Sequence, residues 1–291
     1  MLPDRIIDCH VHLFPDRLFE AIWSYFRRAY GRPVLHELYY RDCIDYLRER
    51  QVDHIVYSNY AHKKGVAGPL NRWNMRILDE FPDLYCFAAY HPDDDDALEM
   101  AAELIQHPRV LGFKLQLLVQ RFYPQDERLF PLYEMVIEQN KRLLFHAGTG
   151  PVGNPFVGIT HFRKLLERYP GLPVTVAHMG GLEYASFMEL LDRYPDLYLD
   201  TTWAFLPQSN FMFDQAPETL ERHRERIVYG SDFPNLIFPR EDEIECLLGL
   251  GLSEDFYRRL FRENGLALLG LSDPSPGEIP RTCAGQHNCS T

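Results

Sequence analysis

Short apolar runs recur along the chain, separated by stretches with helical spacing. The runs are Ile6–His12, His54–Ser58, Leu84–Ala89, Val110–Leu115, Arg142–His146, Pro173–His178, Asp196–Asp200 and Arg226–Gly230. Most are nearly continuous in apolar residues rather than cleanly alternating, which is the pattern of strands covered on both faces. Helical periodicity predicts helices over Asp42–Arg50, Asn71–Glu80, Asp95–His107, Asp126–Asn140, His161–Tyr169, Leu182–Tyr194 and Pro217–Arg224. A long closing helix follows over Glu254–Leu269, with Gly270 as its C-cap. Several helices end at Phe81-Pro82, His107-Pro108, Tyr169-Pro170 or Tyr194-Pro195, because proline disfavours helical backbone in the residue before it. The acids Asp93–Asp96 suit the positive end of the helix they begin. Eight strands with helices between them predict one closed (β/α)8 barrel, a TIM barrel, over residues 1–271. An open doubly wound sheet would advertise a Gly-rich turn after its first strand, and none is present. Residues 272–291, rich in Pro, Ser and Gly, are expected to form a flexible tail outside the core.

Composition adds exclusions. A net charge of −12 leaves no basic stripe to neutralise phosphates, so no nucleic-acid partner is expected. No apolar run reaches the about 18 residues that a membrane span needs. The first residues lack the layout of a secretory signal. The six cysteines are scattered, and Cys9, Cys86 and Cys246 sit in apolar contexts like buried thiols. Only Cys283 and Cys289 are close enough to suggest a local disulfide. A reducing, cytoplasmic setting is expected, with a small molecule as partner, no membrane, and self-association left open.

The first run carries the chemistry. In Asp8-Cys9-His10-Val11-His12, strict alternation puts Asp8, His10 and His12 on one face and Cys9 and Val11 on the other. Two imidazoles at i and i+2 can reach one point, as a metal requires. In barrels, functional groups collect at the C-terminal strand ends. Those ends offer His10, His12, Lys114, His146, His178 and Asp232, while the second, third and seventh offer no such ligand on the strand itself. Any one of these histidines reads most simply as a satisfied structural residue. Four histidines and an aspartate at one end read as a metal site. Asp8 is either a carboxylate supporting the histidines or a buried group bonded within the barrel. Cys9 is core.

The chain resembles the amidohydrolase superfamily, in its branch of metal-dependent barrel hydrolases that includes aminocarboxymuconate-semialdehyde decarboxylase-like enzymes. The matching motifs are Asp8-Cys9-His10-Val11-His12, Gly112-Phe113-Lys114-Leu115 and Leu144-Phe145-His146-Ala147-Gly148. They continue with Ala177-His178-Met179-Gly180-Gly181, Tyr229-Gly230-Ser231-Asp232-Phe233-Pro234 and the closing Asn264–Gly270. The resemblance implies that His10, His12, His146 and Asp232 bind a divalent metal, usually zinc. It implies that Asp232 also takes a proton from the metal-bound water and that His178 orients or protonates the reacting group. Such a metal lowers the pKa of water from 15.7 to about 7. In several members a lysine in the place of Lys114 is carboxylated and bridges two ions, which would leave His146 and His178 to hold the second. The other reading of Lys114 is an ordinary ammonium near the site. Many members of the branch carry His where this chain has Gln116, so no role is assigned to that side chain.

Barrel-top loops select substrates. Here Lys63 or Arg121 could hold a carboxylate, with Trp203, Phe205 or Tyr60 as apolar walls; taken singly, each reads more simply as a solvated or packing loop residue. The leading expectation is metal-dependent hydrolysis of an amide, lactone or ester bond in a small carboxylated substrate. A lyase, either a non-oxidative decarboxylase or a hydratase, is the alternative on the same metal site. A barrel that binds without chemistry ranks below both.

Overall fold

A computed structural model describes residues 2–209 and 212–273. Eight strands form one parallel sheet in the order β1 (Ile6–His12), β2 (Val52–Ser58), β3 (Leu84–Ala89), β4 (Val110–Gln116), β5 (Arg142–His146), β6 (Val174–Val176), β7 (Leu197–Asp200) and β8 (Ile227–Val228). The ring is completed by backbone bonds between β1 and the segment at and beyond β8. Cys9 N–H donates to Tyr229 O (2.9 Å), Asp232 N–H to His10 O (2.8 Å) and His12 N–H to Phe233 O (2.8 Å). The expected TIM barrel is therefore present. Its helices form the outer layer, with aromatic side chains such as Phe145, Phe162 and Phe187 buried between strand and helix. Each such side chain contributes roughly 1.5–3 kcal/mol by leaving water.

The proline-marked helix stops hold: helices end at Glu80, Leu104, Arg168 and Arg193. Beyond the single turn Leu117–Gln120, two helices were not expected. One, Asp16–Tyr30, follows β1 and brings Tyr25 and Phe26 to the barrel mouth. The other, Arg240–Leu248, follows β8 and carries three acids in its first turn. Strand six is shorter than expected, because Ala177–Gly180 is a tight helical turn in which His178 and Met179 have positive φ. The closing helix runs as Glu254–Arg258, a wider π-type segment Arg259–Glu263 and Asn264–Leu269, capped by left-handed Gly270 (φ 68°) as expected. Its Asn264 amide donates to Arg224 O and Ile227 O, both at 2.7 Å, tying it to β8. The acid run precedes its helix rather than opening it, and links loops instead. Asp93 pairs with Arg128, Asp95 with Lys64, and Asp94 accepts from Gly65 N–H. Cys9, Cys43 and Cys86 are buried free thiols, while Cys246 is half-buried and free. Residues 274–291, which include most of the expected tail and both Cys283 and Cys289, lie outside the described residues. Among the described residues no helix is long and apolar enough to cross a membrane.

The loops after β5 and β6 touch backbone to backbone. A Cβ on Gly148 would fall on the carbonyl of Gly180, so only glycine permits this approach. We predict that Gly148→Ala destabilises the fold by about 2–3 kcal/mol, through overpacking against backbone that cannot yield. Urea unfolding of the variant beside the parent chain measures this.

Candidate metal centre at the barrel mouth

His10 and His12 share a face by simple alternation, but an irregularity in β1 decides which face that is. Between Asp8 and Val11 the register slips: Asp8 pairs with Ile55 and Val11 with Tyr57, so β1 spends three steps against two on β2. Ile7 and Cys9 pack with Val56, Leu144 and Val228 inside the ring. Ile6 and Val11 belong to the outer core. His10 and His12, beyond the bulge, point into the mouth, which is how a bulge re-aims a side chain. Asp8 is therefore not on the histidine face. Its Oδ1 instead accepts from the backbone N–H of His10 (3.3 Å) and Ser231 (3.0 Å), gripping the closure of the barrel. Cys9 is core as expected, but on the inner side.

Hydrogen bonds fix how each imidazole presents itself. His10 Nδ1 lies 2.8 Å from Asp200 Oδ2, an acceptor only, so Nδ1 carries the proton and Nε2 presents a lone pair, with the Lys114 Nζ donor 3.3 Å from it. His12 Nδ1 lies 3.2 Å from the carbonyl of Ser58, which likewise leaves a lone pair on its Nε2. Both nitrogens face Asp232 Oδ1, at 3.6 Å from His10 and 3.0 Å from His12. That oxygen is sealed from solvent and accepts no hydrogen bond among the described residues. Its partner Oδ2 takes the indole N–H of Trp203 at 2.9 Å. Ligand atoms of His10, His12 and Asp232 lie within 4.8 Å of one another. Lone pairs converging on lone pairs, each held from behind, suit a cation between them, so the donor set fits a divalent ion.

Asp200, fully buried at the end of β7, was missed in the sequence although it closes a clear strand. It supports His10, accepts from His178 N–H (2.9 Å) and takes the Thr202 hydroxyl (2.5 Å). The signal was present: an acid ends the apolar run Leu197-Tyr198-Leu199 and is followed by two threonines. Burial alone would raise the Asp200 carboxyl. The charge and hydrogen bond of His10 outweigh it, holding that group at about 2. Lys114 is also fully buried, its Nζ 3.3 Å from His10 Nε2. Loss of water pulls it down to about 8, against the upward pull of Asp200 and Asp232.

His146, expected as a third imidazole ligand, is not in the three-residue cluster. Its Nε2 lies 2.8 Å from the Gly150 carbonyl, and its Nδ1 lies 3.1 Å from His178 Nε2. His178 is pinned from behind by Thr202, whose hydroxyl is 2.7 Å and carbonyl 3.1 Å from Nδ1. Since the Thr202 hydrogen goes to Asp200, His178 Nδ1 is the donor, and its bare Nε2 faces the bare Nδ1 of His146. His178, Trp203 and Asp232 all have φ near +60°. Such backbone in non-glycine residues persists only where its surroundings enforce it.

These groups line a mouth cavity of about 420 Å³. Its floor includes His12, His146, His178, Asp232, Gln116 and Asn235, and its walls include Tyr60, Trp203 and Arg121. Phe205 is buried in the outer core and is not a wall. Lys63 is exposed and does not line the cavity. Arg121 lines it in a left-handed conformation (φ 63°) at the end of the short helix Leu117–Gln120.

The family described as amidohydrolase matches residues 7–271, nearly the whole described chain. The chain belongs to the amidohydrolase family. As an amidohydrolase it belongs with metal-dependent enzymes built on this barrel. No curated protein matches its sequence. Solved structures share its fold. An uncharacterized TIM-barrel protein from Bordetella bronchiseptica has a TM-score of 0.71 at 17% identity, over 91% of this chain and 99% of its own. A candidate 2-pyrone-4,6-dicarboxylic acid hydrolase from Pseudomonas putida gives 0.62 at 22% identity, over 92% and 98%. A 5-carboxyvanillate decarboxylase from Novosphingobium aromaticivorans, solved with manganese and 4-hydroxy-3-methoxy-5-nitrobenzoic acid, gives 0.62 at 14%, over 92% and 96%.

Two predictions follow from the hydrogen bonding and burial of this centre. Asp200→Asn removes the charge that fixes the His10 tautomer and should weaken divalent-metal affinity about 10- to 100-fold, measured by competition with a chromophoric chelator. Burial lowers His10 to about 4 and also lowers His146 and His178. As pH falls below 6.5 the unfolded chain takes up these protons and the folded chain does not, so stability should fall between pH 6.5 and 4. Asp8, raised by burial to about 6, acts in the opposite sense between pH 6 and 3.8. Asp8→Asn should therefore steepen the decline in that window, read from urea unfolding against pH.

Proposed function

We propose that the chain is a hydrolase holding one divalent cation, zinc, on His10 Nε2, His12 Nε2 and Asp232 Oδ1, and that it cleaves an ester, lactone or amide bond of a small carboxylated substrate. The observation that carries this reading is the convergence of two imidazole lone pairs on a buried carboxylate oxygen that accepts no hydrogen bond. The imidazole-rich donor set suits zinc, although a related barrel holds manganese. A divalent cation supplies Lewis acidity, which generates hydroxide near neutral pH and polarises a carbonyl.

The chain's own groups then divide the work. Asp232, steadied by Trp203, would take the proton of the attacking water and pass it to the leaving group. His178, held at Nδ1 by Thr202 and facing the cavity, presents its Nε2 lone pair to position the attacking water as a hydrogen-bond acceptor. His146 supports His178 rather than completing the ligand set. Lys114 acts as an ammonium beside His10, since at about 8 it keeps its proton at neutral pH. A carboxylated Lys114 bridging two ions is not part of this reading. Arg121 is the carboxylate anchor. Trp203 acts on Asp232 rather than as a mere apolar wall.

Decarboxylation is the second reading, favoured by the full-length fold shared with a manganese-containing decarboxylase. The His146–His178 pair, having taken up a proton from solvent between its facing nitrogens, would then deliver it to the carbon that loses carbon dioxide. Metal analysis and product analysis test both readings. We predict one zinc or manganese per chain, loss of turnover on chelation, and recovery on adding metal back. His12→Asn and Asp232→Asn should each lower kcat/KM about 10²- to 10⁴-fold. Carbon dioxide release without hydrolysis would replace the hydrolase with the lyase, and chelator-insensitive turnover would sink the cation reading.

A further inference from the structure

Three buried asparagines join the tips of β1, β2 and β3. Asn71 and Asn74 lie three residues apart on the inward face of the helix Ala67–Glu80, and Asn59 directly follows β2. None of the three is more than 2% exposed. Backbone groups fix the direction of each amide. Ala89, the last residue of β3, accepts from Asn71 Nδ2 (2.8 Å) and donates its N–H to Asn71 Oδ1 (3.0 Å), which settles that side chain. Asn74 therefore turns Nδ2 toward Asn71 Oδ1 (3.1 Å) and Asn59 Oδ1 (3.2 Å). Asn59 Nδ2 in turn donates to Asn74 Oδ1 (2.6 Å) and to the carbonyl of Leu13 (3.2 Å), the residue after His12. The two ends agree, because the Leu13 carbonyl can only accept.

The ladder between β1 and β2 ends at the pair His12–Ser58. One step further on, the Asn59 side chain bonds β1 in place of the ladder. That bond sits beside the contact that orients His12, whose Nδ1 is 3.2 Å from Ser58 O and 3.3 Å from Ser58 Oγ. Both distances are at the long end of hydrogen bonding, so a small splaying of the two tips breaks them. Apolar side chains would fill the same space with less cost in helix propensity and desolvation. Setting register is the best-attested use of buried polar groups.

We propose that Asn59, braced by Asn74 and Asn71, is a positioning residue for His12: it holds the tip of β1 against β2 so that the Ser58 carbonyl keeps the proton on Nδ1 and the lone pair on Nε2. This rests on the cation reading proposed above for its consequence, not for the geometry of His12. His10 is held separately by Asp200.

Two measurements on the full chain test this in the parent, Asn59→Ala, Asn74→Ala and Phe162→Leu, the last a core change packed against Phe145. Competition with a chromophoric chelator reads zinc affinity. Long-range proton–nitrogen NMR of the zinc-free chain at about pH 8, above the ordinary histidine range, reads the imidazole tautomers. His12 is assigned from His12→Asn. We expect zinc to bind Asn59→Ala about tenfold and Asn74→Ala about threefold more weakly than the parent, with Phe162→Leu within about twofold. His12 should be the Nδ1–H tautomer alone in the parent and a mixture with the Nε2–H form in Asn59→Ala. A single His12 tautomer in Asn59→Ala overturns the proposal, as does parent-like zinc affinity or equal weakening in Phe162→Leu. Should Asn59→Ala fail to fold, Asn74→Ala decides by the same two readings. A parent chain that takes up no zinc refutes the cation reading, and the tautomer then decides this inference by itself: a mixture upholds it and a single form overturns it.

Discussion

Lone pairs directed at lone pairs govern the barrel mouth. His10 and His12 each spend one ring nitrogen on a protein acceptor and turn the other toward Asp232 Oδ1. In a buried setting such an arrangement is unfavourable unless positive charge resides among the three atoms. The surrounding groups are arranged to prevent it from relaxing. Asp200 and Ser58 hold the imidazoles from behind, Trp203 holds the far carboxylate oxygen, and Asp8 grips the backbone of His10 and Ser231. The centre is pre-organised for positive charge, part of which the Lys114 ammonium supplies from 3.3 Å off His10 Nε2.

That frame is costly locally. His178, Trp203 and Asp232 occupy left-handed backbone, and β1 carries a bulge where His10 turns inward. Glycines permit the closest approaches: a Cβ on Gly230 would lie 2.6 Å from His10 Cβ and 2.9 Å from Thr202 Cγ2. Strain of this kind is sustained by the large apolar core between sheet and helices, and it collects where side chains must be aimed rather than merely packed.

Charge is distributed unevenly between surface and interior. The chain is strongly acidic overall, yet its mouth combines Lys114, Arg121 and a potential cation with two buried aspartates. Long-range attraction of an anionic substrate is therefore weak, and recognition falls to short-range contacts inside the cavity. This places the burden of specificity on hydrogen-bonding groups in the walls rather than on the field of the protein.

Much of this was legible in the residues themselves. Runs of apolar residues and X-Pro stops located the eight strands and most helix ends, because buried parallel strands and helix-terminating prolines have local signatures. The concentration of His10, His12, Lys114, His146, His178 and Asp232 at one rim followed from strand position alone. The face of Asp8 did not, because a bulge has no compositional mark here and a one-residue slip inverts every later side chain. The helices Asp16–Tyr30 and Arg240–Leu248 lie in loops whose periodicity competes with no strand and was passed over. The separation of His146 from the cluster and the support from Asp200 depend on distances across the ring between residues far apart in the chain. The sequence alone determined which donors meet at the mouth; the tertiary structure decided which way each nitrogen and oxygen points, because hydrogen-bond direction is set by partners that only closure of the barrel brings together.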